Sequence, residues 1–168
     1  WGDDNTLEAG AGNDYVYGFG DNNSLDGGAG DDIMAAQGNF NVVDGGAGND
    51  DIGITGSANT VIGRSGDDTI HVNGRINSVF AGEDNDTIIS SGTNWLYGES
   101  GDDTFSVTNG NGGIIEAGSG DDTVYAEMSG GWVNGAEGAD DITVKGDSNY
   151  VINGGEGDDS ISVTGQGN

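Results

Sequence analysis

Nine aspartates return through the chain at a spacing that suits metal chemistry. They are Asp14, Asp32, Asp50, Asp68, Asp86, Asp103, Asp122, Asp140 and Asp159, mostly 18 residues apart. Each is the sixth residue of a nine-residue unit such as GGAGDDIMA from Gly27 or GGEGDDSIS from Gly154, and the eighth residue of every unit is apolar. Glycines at the first, second and fourth positions let the backbone curl and turn carbonyl oxygens inward. Carboxylates beside carbonyls are the ligand set of a hard cation that takes six to eight oxygens, so the expected ion is Ca²⁺ rather than Mg²⁺, which holds its water in small octahedral geometry. The natural site lies between consecutive units, Asp14 with Asp32 or Asp50 with Asp68, and nine turns offer up to eight such intervals. Without a cation, carboxylates stacked at strand spacing would repel one another strongly. At the fifth position Asp31, Asp67, Asp102, Asp121 and Asp158 alternate with Asn13, Asn49 and Asn85; hydrated surface is the simpler expectation for them, outer-sphere acceptors the other.

A fixed period of this length marks a stacked repeat, each unit one coil of a solenoid that buries its apolar face only against its neighbours. Between the Asp turns runs a second marker. Asn5, Asn23, Asn41, Asn59 and Asn77 are each 18 apart, and Asn94, Asn149 and Asn168 follow after small slips. Glycine stands in that place near Gly112 or Gly113 and at Gly131. Because Asn and Gly accept positive φ most readily, the position is expected to need a left-handed conformation. Two turns per unit imply two short strands per coil. In one strand Ile70 and Val72, Phe105 and Val107, and Ile161 and Val163 alternate with polar residues, the period of a strand buried on one face. In the other, Leu7, Leu25, Val43, Val61, Val79, Leu96, Ile115, Val133 and Val151 should stack as an inward column. The expected fold is all-β: a parallel β-roll or β-solenoid of about 18 residues per coil, with one Gly/Asp turn row and one Asn/Gly turn row. Residues 1–168 read as a single segment, an excerpt of a longer array.

Composition narrows the function. With 36 Gly, no Pro and 32% hydrophobic residues, only a narrow one-dimensional core is available. Thirty acidic residues against Arg64, Arg75 and Lys145 give a net charge of −27, which excludes nucleic acid as a partner. Such charge with low hydrophobicity would ordinarily mean disorder, but the strict register of apolar positions argues for a fold once cations neutralise the row. No apolar run is long enough to span a membrane. There is no Cys, His71 is the one histidine, and no unit carries a unique acid pair, so the chain is not expected to be an enzyme.

The pattern GGxGxDxUx, with U a large apolar residue, resembles the nonapeptide repeat of the RTX (repeats-in-toxin) family. Some units drift: Ala9, Ala81 and Ala117 replace the first Gly, Arg64, Glu99 and Ala136 the second, and Asp84 the fourth. The alternation of Asp halves with Asn halves is most similar to the C-terminal repeats of large multifunctional RTX toxins and of some RTX adhesins. The resemblance implies a calcium-bound β-roll with a single Ca²⁺ row, secretion by a type I system of Gram-negative bacteria, and folding on meeting extracellular calcium. It also implies that the roll serves as a structural or presenting segment beside neighbouring domains of a secreted toxin or adhesin.

Two surface readings accompany this one. Trp95, Ile114, Trp132 and Tyr150 follow the Asn/Gly position in consecutive coils and should form an exposed apolar strip, which suits contact with a host-surface receptor, a glycan or another domain. Thr69, Thr87, Thr104 and Thr123 align as an ice-binding rank would, but His71, Ile89, Ser106 and Tyr125 beside them are uneven in size.

Overall fold

A computed structural model describes residues 2–149 and 151–168. Its strands begin with β1 (Thr6–Ala11), β2 (Tyr15–Phe19), β3 (Ser24–Ala29), β4 (Ile33–Gln37), β5 (Val42–Ala47) and β6 (Asp51–Thr55). They continue with β7 (Thr60–Ser65), β8 (Thr69–Asn73), β9 (Ser78–Glu83), β10 (Thr87–Ser91), β11 (Trp95–Ser100) and β12 (Thr104–Thr108). The last six are β13 (Ile114–Ser119), β14 (Thr123–Glu127), β15 (Trp132–Glu137), β16 (Asp141–Lys145), β17 (Val151–Glu156) and β18 (Ser160–Thr164). Among the described residues there is no helix.

Odd-numbered strands form one nine-stranded sheet and even-numbered strands the other, each strand pairing in parallel with its equivalent one coil away. Every coil therefore contributes one strand to each sheet and turns twice, as the double period requires. The sheets face each other across the apolar columns. Leu25, Val43, Val61, Val79, Leu96, Ile115 and Val133 line the odd sheet, and Met34, Ile52, Ile70, Ile88, Phe105, Val124 and Ile142 the even one, all at 1% exposure or less. Val72 and Val107 are buried as expected, but Ile161 and Val163 of the last strand are exposed.

One member of the odd column differs from the expected set. Val133 pairs with Ile152, not Val151, and Val151 aligns with Trp132 on the outer face. The last coil carries one extra residue between its Asn and its strand, which moves the inward position along by one. Tyr150, the fourth member of the expected apolar strip, lies outside the described residues. Trp95, Ile114 and Trp132 are in direct cross-strand register; both tryptophans are exposed, and Ile114 between them is half-buried.

Candidate metal centre

The Asp turns stack directly on one another. The backbone N–H of Asp14 donates to Asp32 Oδ1 at 2.7 Å, that of Asp32 to Asp50 Oδ1, and so on through Asp68, Asp86, Asp103, Asp122 and Asp140 to Asp159, at 2.7–3.1 Å. All nine sequence-selected aspartates are thus joined in one row. The seven inner ones are buried at 1–2% exposure, and Asp14 and Asp159 at the two ends are half-buried. In this arrangement Oδ1 is committed to the neighbouring backbone. Oδ2 is not: in Asp32, Asp50, Asp68, Asp86, Asp103, Asp122 and Asp140 it is buried with no hydrogen-bond partner.

Those oxygens share their space with main-chain carbonyls. A Cβ placed on Gly27 would lie 2.4 Å from Asp32 Oδ2 and 2.5 Å from Gly45 O, and one on Gly98 would lie 2.2 Å from both Asp103 Oδ2 and Ala117 O. At these units the first glycine's missing side chain leaves room for two converging oxygens, although Ala9, Ala81 and Ala117 occupy the same position in other units. The second and fourth positions are glycine for a different reason, since both lie at positive φ, for instance Gly28 at 103° and Gly30 at 120°. Where the sequence drifts, Arg64, Asp84, Glu99 and Ala136 adopt that conformation all the same, at 77–86°.

The electrostatics of the row are unfavourable as they stand. Burial is the main cause that raises the carboxyls of Asp50 and Asp103 from 3.8 to about 6, of Asp68 and Asp122 to about 7, and of Asp86 to about 8. The backbone N–H donated by the preceding Asp opposes this, and for all of these but Asp103 the charge of a neighbouring row member adds to the rise. Asp140 is raised for the same reasons. An oxygen-rich row of buried, unpartnered carboxylates fits a hard cation. The carbonyls beside the Oδ2 atoms, such as Gly45 O and Ala117 O, add oxygen donors of the kind that Ca²⁺ takes.

The opposite turn row has the same construction with amides in place of acids. Backbone N–H groups of Asn5, Asn23, Asn41, Asn59 and Asn77 donate to the Oδ1 of the next Asn at 2.8–3.0 Å. Here the second side-chain atom is a donor. Asn59 Nδ2 reaches Asn77 Oδ1 and Gly38 O, and Asn77 Nδ2 reaches Asn94 Oδ1 and Gly56 O. Among the described residues only Asn41 Nδ2 in this row is buried without a partner, against seven carboxylate oxygens in the Asp row.

Three expectations change in detail. The left-handed residue is not the Asn but the one before it: Asn22, Phe40, Ala58, Ile76 and Ser148 have φ of 56–61°. Gly112 and Gly130 take that place at 77° and 65°, while Gly113 and Gly131 have ordinary φ. Asn is selected for its side-chain amide, and Gly131 because Met128 fills the gap: a Cβ on Gly131 would meet Met128 Cε at 1.9 Å. Met128 is 2% exposed and replaces the amide ladder with an apolar plug. Fifth-position residues, expected as hydrated surface, form an exposed ladder of their own. Asn49 N–H donates to Asp31 Oδ1 and Asp67 N–H to Asn49 Oδ1, opposite in direction to the inner row.

A parallel roll whose coils turn on a buried, metal-suited carboxylate row defines a calcium-binding repeat solenoid, a structural fold that is not typically catalytic. The model of the RTX calcium-binding nonapeptide repeat matches residues 2–34, 35–52, 62–94, 71–105, 90–114 and 112–129, more than half of the chain. The chain belongs to that family. No curated protein and no solved structure matches it.

Proposed function

We propose that Asp14, Asp32, Asp50, Asp68, Asp86, Asp103, Asp122, Asp140 and Asp159 hold Ca²⁺ in a single row between consecutive coils, and that the row is a folding switch. The observation that carries this reading is the set of seven buried Oδ2 atoms without a partner. Oδ1 builds the stack and Oδ2 is left to the ion. Bound calcium supplies the positive charge that makes burial of the row favourable. With dissociation constants near the 10⁻⁴–10⁻³ M of extracellular modules, millimolar calcium contributes on the order of 1 kcal/mol per site and micromolar calcium almost none. A chain with this response stays unfolded inside a cell and folds outside it. That behaviour suits a segment exported unfolded by a type I system of a Gram-negative bacterium, which then extends or presents the domains of a secreted toxin or adhesin. Residues 1–168 act as one such segment.

Calorimetric titration of chelated protein tests the row by counting. About eight calcium ions per chain, one per interval between the nine turns, are expected. One or two ions, or an equal response to Mg²⁺, would contradict it. A second reading is favoured by the exposed Trp95 and Trp132 flanking Ile114: this strip is a contact for a neighbouring domain or a host-surface receptor. Replacing both tryptophans by Ser should abolish such binding and leave calcium-dependent folding intact.

A further inference from the structure

The even sheet carries a groove of about 510 Å³ on its outer face, running along the solenoid axis. Its floor is the strand backbone at Ala36, Ile54, Val72 and Ser90, whose side chains turn inward between the sheets. One side is a rank of uncharged polar groups in direct register: Gln37, Thr55, Asn73, Ser91 and Thr108. On the other side stand Ala35, Gly53, His71 and Ile89, also in register. No Asp, Glu, Lys or Arg lines the groove, although the chain has 30 acidic residues.

Gly53 stands apart from the other glycines of the roll. Its φ is ordinary, and an added Cβ would meet nothing closer than Met34 O at 3.8 Å. Every other described glycine either has positive φ or would clash within 3.0 Å, as Gly18 would with Leu25. Glycine inside a strand weakens it. One that neither the backbone nor the packing requires marks a place where something external approaches the sheet closely.

We propose that this groove binds a linear, uncharged polysaccharide laid along the solenoid axis, closest to the protein at Gly53. The chemistry of the lining matches that ligand: the outward column Ala35, His71 and Ile89 for the C–H faces of the rings and a rank of hydroxyls and amides for their hydroxyl groups. The rank repeats at the strand spacing of ~4.8 Å, so from Gln37 to Thr108 it runs for roughly 19 Å, room for several sugar units. Charge selects among polymers. A polyanion is repelled by the net charge, −27 for the bare chain and still negative with about eight Ca²⁺ bound, and a basic peptide finds no carboxylate in the groove. An extended peptide adds to a sheet at its edge, through unpaired backbone groups, whereas this groove crosses strands paired on both sides.

The test uses the calcium-folded chain and neutral hexasaccharides, namely cellohexaose, chitohexaose, mannohexaose and maltohexaose, with hexagalacturonate as the charged control. His71, the one histidine of the chain, lines the groove and reports occupancy through its ring NMR resonances. At least one neutral hexasaccharide should shift those resonances saturably below about 1 mM, with affinity changing less than about twofold on addition of salt. Gly53→Trp, which fills the groove, should weaken binding at least about tenfold with the calcium-induced β spectrum unchanged. Asn73→Ala, which removes a hydrogen-bonding group from an exposed position, should weaken it by a smaller factor. Absence of any shift with all four neutral sugars, undiminished binding to a folded Gly53→Trp variant, or equal binding of hexagalacturonate would each overturn the proposal.

Discussion

Asp68→Asn should change stability in opposite directions according to whether calcium is present. In the roll, Asp68 Oδ1 accepts the N–H of Asp50 at 2.8 Å, a bond that an amide oxygen makes equally well. Asp68 Oδ2 is buried without a partner and crowds the same space above Gly63 as Ala81 O. The amide replaces that oxygen with an N–H donor, as Asn59 does on the opposite turn, where its Nδ2 bonds to Asn77 Oδ1. Burial raises the Asp68 carboxyl from 3.8 to about 7. Three pKa units correspond to roughly 4 kcal/mol of cost for keeping it ionised at neutral pH. Part of that is recovered by relaxation, so a gain of about 1–3 kcal/mol is expected for Asp68→Asn in chelator at pH 7. In about 10 mM calcium the same change removes an ion ligand and costs about 1.5–3 kcal/mol for each site lost. Urea melts followed by circular dichroism measure both arms, the chelated one in sodium sulfate, which strengthens burial and screens the net charge. A variant less stable than the parent in chelator would refute the claim that Oδ2 is a liability until an ion arrives.

Without calcium the roll should lose stability as pH rises. Asp50, Asp68 and Asp86 titrate at about 6, 7 and 8 instead of 3.8, so between about pH 4 and 8 the folded chain binds more protons than the unfolded one. The chelated protein should therefore show most β structure near pH 4, and circular dichroism across that range checks it. Gly46→Ala forces a side chain into a φ of 108° with its Cβ 2.0 Å from Gly28 O and should cost at least about 2 kcal/mol in calcium. Gly53→Ala should stay within about 1 kcal/mol, and urea midpoints separate the two. Ala136→Gly, at a φ of 85°, should stabilise by up to about 1 kcal/mol in the same assay. Asn59→Ala leaves the Asn41 N–H, which now donates to Asn59 Oδ1, without a partner and should cost about 1–3 kcal/mol regardless of calcium.

Much of the molecule is legible in the chain because the repeat imposes one environment on each position. The Asp row, the Asn row and the alternation of Ile70 with His71 need only the period and the two-residue strand repeat to be placed. What the sequence hides lies where two residue properties serve one position. Asn is favoured both for left-handed backbone and for its amide, and only the fold shows that the amide is used at Asn59 while Ala58 takes the strained backbone at φ 57°. Phe40 and Ile76 hold the same conformation and carry no sequence signal for it, since stacking forces it on whatever residue falls there. The shift from Val151 to Ile152 follows from a single extra residue. A period of 18 with slips of one does not say on which side of the turn that residue is absorbed. Met128 as a plug for the interrupted amide ladder depends on its side chain folding back over Gly131 within the same turn, which spacing alone does not reveal. The neutral groove is a property of two registered columns, visible only once Gln37 is known to lie beside Thr55 and Asn73.

The most direct measurement is far-ultraviolet circular dichroism of the chelated chain at pH 7 during titration with Ca²⁺, with Mg²⁺ titrated in parallel. A cooperative change from coil to β near millimolar Ca²⁺ that Mg²⁺ does not produce is the predicted result, because only an ion coordinated by the buried Asp row makes the stack stable. A β spectrum present in chelator and unaltered by calcium would contradict it, and would mean that the amide ladder and the apolar columns hold the roll together alone.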